Sequence, residues 1–304
     1  GAWEVYRVPA GKQYVEVAYA PVGAARPEGW PDAGAPAAPG RRWPQTIETT
    51  GELSTKVGEP YVVDRIKLPE ANPWKAPLYT SALDFLPDGR AVVATFHGDV
   101  FVASGLDETL AKVTWRRFAA GLYHPLGLKV VDGEVHVTCR DGLWKLRDTD
   151  ADGRADRHDV ILTGFGTQDS HLFPHQFLRQ PGGQIFVAQG LFNYSKVRRP
   201  DGRPFADGAT EVPFNQCKLA RFTPDGSSFE PLTAGPNNIW GLLTSREGET
   251  FFQEANDQGY PVIPYEPGVY VRTGSKDLLR PYQPLMPPPL APAALYLRPN
   301  FRTP

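Results

Sequence analysis

The sequence predicts an all-β protein of the β-propeller class, and the prediction rests on a repeated turn pattern and its spacing. In each repeat a strand leads into a glycine turn, and a second strand rich in β-branched or aromatic residues follows. The first three turn glycines are about 45 to 50 residues apart, the length of one four-stranded blade. We therefore expect a propeller of about five or six blades, some of them degenerate. The repeats are Leu83–Ala94, Lys129–Thr138, Leu178–Ala188 and Leu243–Gln253, with turn glycines Gly89, Gly133, Gly183 and Gly248.

Length and composition agree with this class. The chain has 304 residues, of which 32 are proline and 30 are glycine, so we expect many tight turns and no long helices. The net charge of -2 argues against nucleic acid and against a membrane surface, because both of those partners are acidic. No run of about 18 apolar residues is present, and the first residues lack the basic and hydrophobic parts of a signal peptide. The sequence therefore predicts no direct membrane insertion.

Three segments are expected along the chain. Residues 1–60 combine short strands with an arm rich in proline, alanine and glycine, residues 61–280 form the propeller, and residues 281–304 are a proline-rich extended arm. The third blade contains a long insertion, Leu191–Gln216, and loops of this length are usually lids, partner contacts or disordered segments. The expected blades cover about Thr80–Tyr123, His124–Gly166, Ser170–Gly235 and Asn237–Thr273.

Two cysteines, Cys139 and Cys217, lie far apart beside predicted strands. They are either two buried thiols or a disulfide between neighbouring blades, which would require an oxidising compartment. No C-x-x-C-H motif is present, so we expect no c-type haem on this chain.

The segment Asp148–Asp159, D-T-D-A-D-G-R-A-D-R-H-D, has the ligand spacing of a calcium loop of the EF-hand type. A glycine stands at position six for the sharp turn, and position twelve carries aspartate where glutamate is usual. The alternative is an acidic turn without metal. Because the loop lies between outer blade strands, a structural role for the ion is expected rather than a catalytic one. The predicted ligands are Asp148, Asp150, Asp152, the carbonyl of Arg154, Asp156 and Asp159.

Polar residues also precede the innermost strand of successive blades, where loops line the mouth of a propeller channel. These are His124 before blade two, His171 and His175 before blade three, and Asn237 with Asn238 before blade four. Histidines in such loops can act as general bases or bind a ligand. They can equally be packed polar groups, and asparagine before a strand is often a turn residue.

The chain resembles the membrane-bound dehydrogenase family over about Tyr61–Arg272. The resemblance is carried by the strings L-P-E-A-N-P-W-K, F-H-G-D-V-F-V-A-S-G-L-D, W-R-R-F-A-A-G-L-Y-H-P-L-G-L-K and D-T-D-A-D-G-R-A-D. That family consists of secreted bacterial propellers related to the soluble glucose and sorbosone dehydrogenases that use pyrroloquinoline quinone (PQQ), and many members continue into a cytochrome c domain. The resemblance implies a periplasmic or secreted propeller near an electron-transfer chain that oxidises a sugar or alcohol.

The resemblance also implies site residues. His171 falls where the quinone enzymes place the base that takes a proton from the substrate hydroxyl. The quinone enzymes carry an Arg-Asn pair before the next blade, and here those positions are Asn237 and Asn238, so the fixed cation at that point is missing. His124 and the two asparagines would be cofactor-binding contacts.

Two functions are consistent with these features. The first is a calcium-stabilised periplasmic dehydrogenase of the quinone-dependent type that passes electrons to a partner such as cytochrome c. The second is a non-catalytic propeller that serves as a binding or structural subunit of a larger redox or membrane complex. In the second case the proline-rich arms and the Leu191–Gln216 insertion would contact other chains.

Overall fold

The computed structural model describes residues 43–168, 174–190, 193–215, 219–232, 239–254 and 263–265. Contacts divide the chain into the compact units Gly1–Pro44 and Gln45–Pro304, and nearly all described residues belong to the second. Every regular element within them is a β-strand. No helix among the described residues is long and apolar enough to cross a membrane.

The first sheet has five antiparallel strands in the order β1-β7-β6-β5-β4. Strands β4 to β7 are consecutive in the chain, and β1 adds to the outer edge by pairing with β7. A separate two-stranded hairpin, β2 and β3, lies between β1 and β4 in sequence. The bounds are β1 Thr46–Thr49, β2 Gly51–Glu52, β3 Arg65–Ile66, β4 Thr80–Phe85, β5 Ala91–Thr95, β6 Val100–Ser104 and β7 Val113–Ala119.

The following sheets repeat the same up-and-down pattern. The second is β11-β10-β9-β8, the third is β12-β13-β16-β17, and the fourth is β18-β19-β20, while β14 and β15 form a separate hairpin. The bounds in the second sheet are β8 Gly127–Val131, β9 Glu134–Cys139, β10 Gly142–Arg147 and β11 Arg157–Thr163. The remaining strands are β12 His175–Arg179, β13 Ile185–Ala188, β14 Tyr194–Val197, β15 Val212–Asn215, β16 Leu219–Phe222, β17 Phe229–Pro231, β18 Ile239–Thr244, β19 Thr250–Glu254 and β20 Ile263–Pro264.

The first strands of successive sheets lie side by side, so that β4 contacts β8, β8 contacts β12 and β12 contacts β18. The carboxylate of Asp84 on β4 accepts a hydrogen bond from the amide of Val130 on β8 at 2.8 Å. Apolar clusters fill the spaces between facing sheets. Val102 and Phe118 meet Val135 between the first and second sheets, and comparable clusters lie between the second and third and between the third and fourth. Antiparallel sheets packed in series through their innermost strands form a β-propeller, which confirms the predicted fold class. The predicted blade number stays a prediction.

The turn glycines behave as the sequence predicts. Each lies between the first and second strands of its sheet and has a φ between 82° and 91°, a left-handed conformation that glycine adopts without steric cost. A Cβ at any of the four would meet no atom within 4 Å. Backbone conformation therefore explains the repeated glycine, and packing does not. The four are Gly89, Gly133, Gly183 and Gly248.

The insertion in the third blade is a folded hairpin rather than an open loop. Its strands β14 and β15 pair antiparallel, and Val197, Phe205 and Phe214 are buried in the cluster between the second and third sheets. The hydroxyl of Ser195 donates to the buried amide oxygen of Gln189 at 2.6 Å and accepts the amide of Gly166 at 2.7 Å. The described part of the insertion is therefore folded and packed against the sheets rather than disordered, and a role as a lid or partner contact stays a prediction.

Because successive strands run in opposite directions, the turns of each sheet lie at two opposite ends. We call the end at which the chain begins each innermost strand the top, and it also carries the turns between the second and third strands of a sheet. The opposite end, the bottom, carries the turns between first and second strands and those between third and fourth strands. Cys139 is a buried free thiol. Cys217, residues 1–42 of the N-terminal segment and the C-terminal arm 281–304 lie outside the described residues.

Candidate functional site

The acidic loop at the bottom of the second sheet connects β10 to β11. The carboxylates of Asp148, Asp150 and Asp152 each offer an oxygen, and these atoms all lie within 4.8 Å of one another. Asp148 organises the turn by accepting the amides of Asp152 at 3.0 Å and Gly153 at 2.7 Å. Gly153 has a φ of +84°, as the sharp turn at position six requires. Carboxylate oxygens are ligands that calcium sites use, so these three residues form a candidate part of such a site.

The other predicted ligands have different partners. Asp156 accepts the amide of Thr149 at 2.7 Å together with its hydroxyl, and these hydrogen bonds lower the pKa of the Asp156 carboxyl. Arg154 is buried, and its guanidinium donates to the Asp152 carboxylate at 2.9 Å.

Asp159 lies on β11 and is held by the guanidinium groups of Arg147 and Arg157. Burial acts to raise the pKa of Asp159, but the hydrogen bonds from the two arginines outweigh it and leave the pKa below its ordinary value. In this conformation Asp159 is not among the three carboxylates that the loop brings together.

The loop is attached to the first sheet. The amide of Ala155 donates to the carbonyl of Phe118 at 2.8 Å, and the guanidinium of Arg116 donates to the carbonyl of Asp152 at 3.4 Å. The loop lies between β10 and β11, as the sequence predicts, and a structural role for a bound ion stays a prediction.

A cluster of rings lies at the top of the first two sheets. His124, between β7 and β8, stacks on Phe96 with ring centroids 4.3 Å apart, and the Tyr123 ring is 4.6 Å from it. The ring of His97 lies 5.2 Å from that of Tyr79. Tyr79 and Tyr123 are 68% and 47% exposed, so their faces are accessible from solvent.

The cluster is also rich in basic groups. The Arg140 guanidinium carbon lies 5.7 Å from the centre of the Tyr123 ring, and its Nη2 donates to the carbonyl of Thr167 at 3.2 Å. Burial, then the charges of Arg140 and His97, lower the pKa of His124. His124 is therefore a neutral imidazole at pH 7 that can donate or accept a hydrogen bond. We call Tyr79, Phe96, His97, Tyr123, His124 and Arg140 the top cluster.

Of the residues that sequence analysis names at the blade entries, His124 alone belongs to the top cluster. Tyr79 precedes β4, Phe96 belongs to the β5–β6 turn and Arg140 belongs to the β9–β10 turn. These residues meet because all three segments lie at the top end of adjacent sheets. Recurrence at equivalent turns, rather than a local motif, is the signal that would have found them.

The other predicted top residues divide into two groups. His171, Asn237 and Asn238 lie outside the described residues; in sequence, the first precedes β12 and the two asparagines precede β18. His175 is the first residue of β12 and is buried, and burial lowers its pKa from 6.5 to about 4. His175 is therefore a packed interior residue.

Solved structures of similar fold include three sugar-processing proteins. A glucose dehydrogenase-type oxidoreductase from Thermus thermophilus is 20% identical, with a TM-score of 0.45, and the match covers 63% of this chain and 62% of that one. The PQQ-bound aldose sugar dehydrogenase of Streptomyces coelicolor is 15% identical, with a TM-score of 0.45 and coverages of 64% and 61%. A gluconolactonase from Xanthomonas campestris is 13% identical, with a TM-score of 0.41 and coverages of 64% and 61%.

The chain thus spans about three fifths of the length of these solved proteins. Similarity at this level does not carry an activity from one chain to another. No curated protein matches the sequence. Residues 107–283 match the model of a family described as "Domain of unknown function (DUF7133)", and because this match spans more than half of the chain, the protein belongs to that family.

Proposed function

We propose that this protein is a calcium-binding, periplasmic or secreted propeller that oxidises a sugar or an alcohol with PQQ at the top end of its sheets. The top cluster is the observation that carries the proposal. It presents exposed tyrosine faces, a neutral imidazole and a guanidinium beside the loop that leads towards His171. Faces of this kind stack on flat rings and on the apolar faces of sugars, while the polar groups orient hydroxyls.

The described residues suit a planar quinone that carries carboxylates. Tyr79 and Tyr123 supply exposed ring faces, and Arg140 supplies a cation beside Tyr123. In the sequence, Asn237 stands where the quinone enzymes carry an arginine. When bound, PQQ would accept the hydride from the substrate carbon. His171 would take the proton from the substrate hydroxyl, and neutral His124 would hold the substrate or the cofactor by a hydrogen bond.

Calcium has a separate place in the proposal. Asp148, Asp150 and Asp152 would hold the ion, and backbone carbonyls and water would complete a shell of six to eight oxygens. This loop is at the bottom end, away from the top cluster, so the ion would stabilise the blades rather than take part in oxidation. Electrons would leave the protein through a redox partner such as cytochrome c.

A second function is favoured by an apolar surface on the first sheet. Leu83 and Phe85 on β4 are both 53% exposed and line a groove of about 470 Å³ together with Ile66. About half of the surface of each of these two side chains is therefore open to solvent in the described part of the chain. A non-catalytic subunit of a larger redox complex would use such a surface to bind a neighbouring chain.

Reconstitution with calcium and PQQ tests the first function. We expect saturable quinone binding and dye reduction with members of a panel of sugars and alcohols, and we expect turnover to vanish in His171→Ala. His158→Ala, at an exposed position on β11, is the matched control and should keep full turnover.

Absence of quinone binding in a chain that calcium still stabilises would contradict the oxidation proposal. The second function would then be tested by sedimentation of the wild-type chain mixed with cytochrome c, and by the same experiment with the Phe85→Lys variant. A complex that Phe85→Lys abolishes is expected if the protein is a subunit, and no complex at all would contradict that function.

A further inference from the structure

A cavity of about 460 Å³ opens at the bottom end between the first and second sheets. It is separate from the top cluster, and its volume lies within the range of small-molecule sites in proteins. The acidic loop forms one wall through Asp148 and Gly153, and the β4–β5 and β8–β9 turns form the others.

The floor of the cavity is apolar and is shared by the two sheets. Val102 and Phe118 come from the first sheet, and Val135 and Leu146 come from the second. Leu86, at the end of β4, extends the same surface towards the opening. A ligand that binds here removes its own hydrocarbon surface and that of the floor from water. The floor therefore favours an alkyl or aryl group.

The rim of the cavity holds two arginines with unused hydrogen-bond donors. Arg90 bonds Asp88 through Nε at 2.8 Å and Nη2 at 2.7 Å, and Arg147 bonds Asp159 through Nε and Nη2. A guanidinium has five N–H donors. Among the described residues, Nη1 of either arginine has no hydrogen-bond acceptor.

The carboxylates at the same rim each have at least one hydrogen-bond donor. Glu134 accepts the ammonium of Lys145 at 2.8 Å, and both carboxylate oxygens of Asp148 accept backbone amides. The hydroxyl of Thr149 is directed to Asp156. Within the described residues, the rim groups that have no partner at all are therefore the two arginine Nη1 donors, which match an acceptor headgroup such as a carboxylate.

We propose that this cavity is a binding site for a small amphipathic carboxylate, with the hydrocarbon on the shared apolar floor and the carboxylate at Arg90 and Arg147. The site differs in position and chemistry from the proposed oxidation site. It does not require calcium, since the arginines and the floor belong to the sheets and their turns.

Calorimetric titration of the full chain with octanoate tests the proposal. We expect saturable one-site binding that weakens about fourfold for each methylene removed in the series to hexanoate and butyrate, because each buried methylene contributes a constant increment. Octanol and octylamine carry the same chain with other headgroups and should bind at least about tenfold more weakly than octanoate.

Arg90→Gln locates the headgroup. Its exposed ion pair contributes little to stability, so the variant should fold, and octanoate affinity should fall about tenfold or more. Arg221→Gln is the matched control, because Arg221 forms a comparable exposed pair with Glu230 on the third sheet, and it should leave the affinity unchanged.

Three results would each overturn the proposal. They are absence of saturable octanoate binding, equal binding of octylamine and octanoate, and octanoate binding by Arg90→Gln that is indistinguishable from that of Arg221→Gln.

Discussion

Gly153 lies directly against the guanidinium of Arg116, so that a Cβ built on Gly153 would overlap Nη1 of Arg116. The glycine belongs to the acidic loop of the second sheet, and the arginine belongs to β7 of the first. The same arginine donates to the carbonyl of Asp152. The lack of a side chain at position 153 therefore allows the loop to approach the neighbouring sheet as well as to turn.

Gly153→Ala is expected to reduce the free energy of unfolding by more than backbone strain alone. Alanine at positive φ costs about 1–2 kcal/mol, and displacement of Arg116 removes a long hydrogen bond worth at most about 1 kcal/mol more. Gly183→Ala is the matched control, because its φ is +82° and no atom lies within 4 Å of the added Cβ. Urea unfolding of both variants measures the difference, and equal losses would show that the contact with Arg116 contributes nothing.

Asp150→Asn and Asp159→Asn are expected to differ in calcium affinity. Asp150 is one of the three carboxylates that the acidic loop brings together, whereas Asp159 lies on β11. Calcium should raise the melting temperature of the wild type, and Asp150→Asn should weaken calcium binding about tenfold or more because it removes one of the three negative charges that would face the ion. Asp159→Asn should change calcium affinity much less, because Arg147 and Arg157 hold that carboxylate. Calcium titration by calorimetry decides, and a larger loss in Asp159→Asn would mean that the loop rearranges on binding to the predicted twelve-residue geometry.

The buried ion pair of Asp99 and Arg117 is expected to show a large interaction energy in a double-mutant cycle of protein stability. The side chains are 6% and 15% exposed, and Nε of Arg117 donates to the carboxylate at 3.0 Å. Arg117→Met should destabilise the protein by about 3–5 kcal/mol, because it leaves Asp99 charged and buried, whereas the double variant with Asp99→Leu should recover part of that loss. The exposed pair of Arg221 and Glu230 is the control and should contribute no more than about 1 kcal/mol. Additive single losses in the double-mutant cycle would contradict the prediction.

Stability is expected to fall on acidification because of His175. Its pKa is about 4 in the folded protein against 6.5 for an exposed histidine, so the unfolded chain binds more protons between these values. The stabilisation is complete above pH 6.5 and declines as the pH falls towards 4, by up to about 3 kcal/mol. His175→Gln should flatten the pH dependence of urea unfolding, and the exposed control His158→Gln should keep it. If the pH dependence of stability is unchanged in His175→Gln, the acid sensitivity belongs to other groups. His136 is one such group, because burial also lowers its pKa.

The sequence is most informative where structure is decided locally. The glycine turns predict the first three blades and their strands closely, because a turn that needs positive φ and the alternation of apolar residues are both short-range properties. The grouping of Asp148, Asp150 and Asp152 follows in the same way from spacing around Gly153.

Long-range contacts could not be read from the same patterns. Phe205 and Phe214 are buried because the insertion folds back between two sheets, and no local signal distinguishes this from a loop. Arg147 withdraws Asp159 from the acidic loop only because β10 and β11 pair in one register. The top cluster likewise depends on blade geometry, which brings together turns that are far apart in sequence.

The addition of β1 to the first sheet has a consequence for the order of folding. The other strands of this sheet join neighbours in sequence, whereas β1 pairs with β7 and Thr49 accepts the Trp115 indole N–H across 66 residues. Closing a longer loop carries a larger entropic penalty, so the four local strands should form first and β1 should dock afterwards. The amides of β1 should accordingly exchange with solvent faster than those of β5 and β6, and force applied from the N-terminal side should remove β1 while the four-stranded blade remains intact.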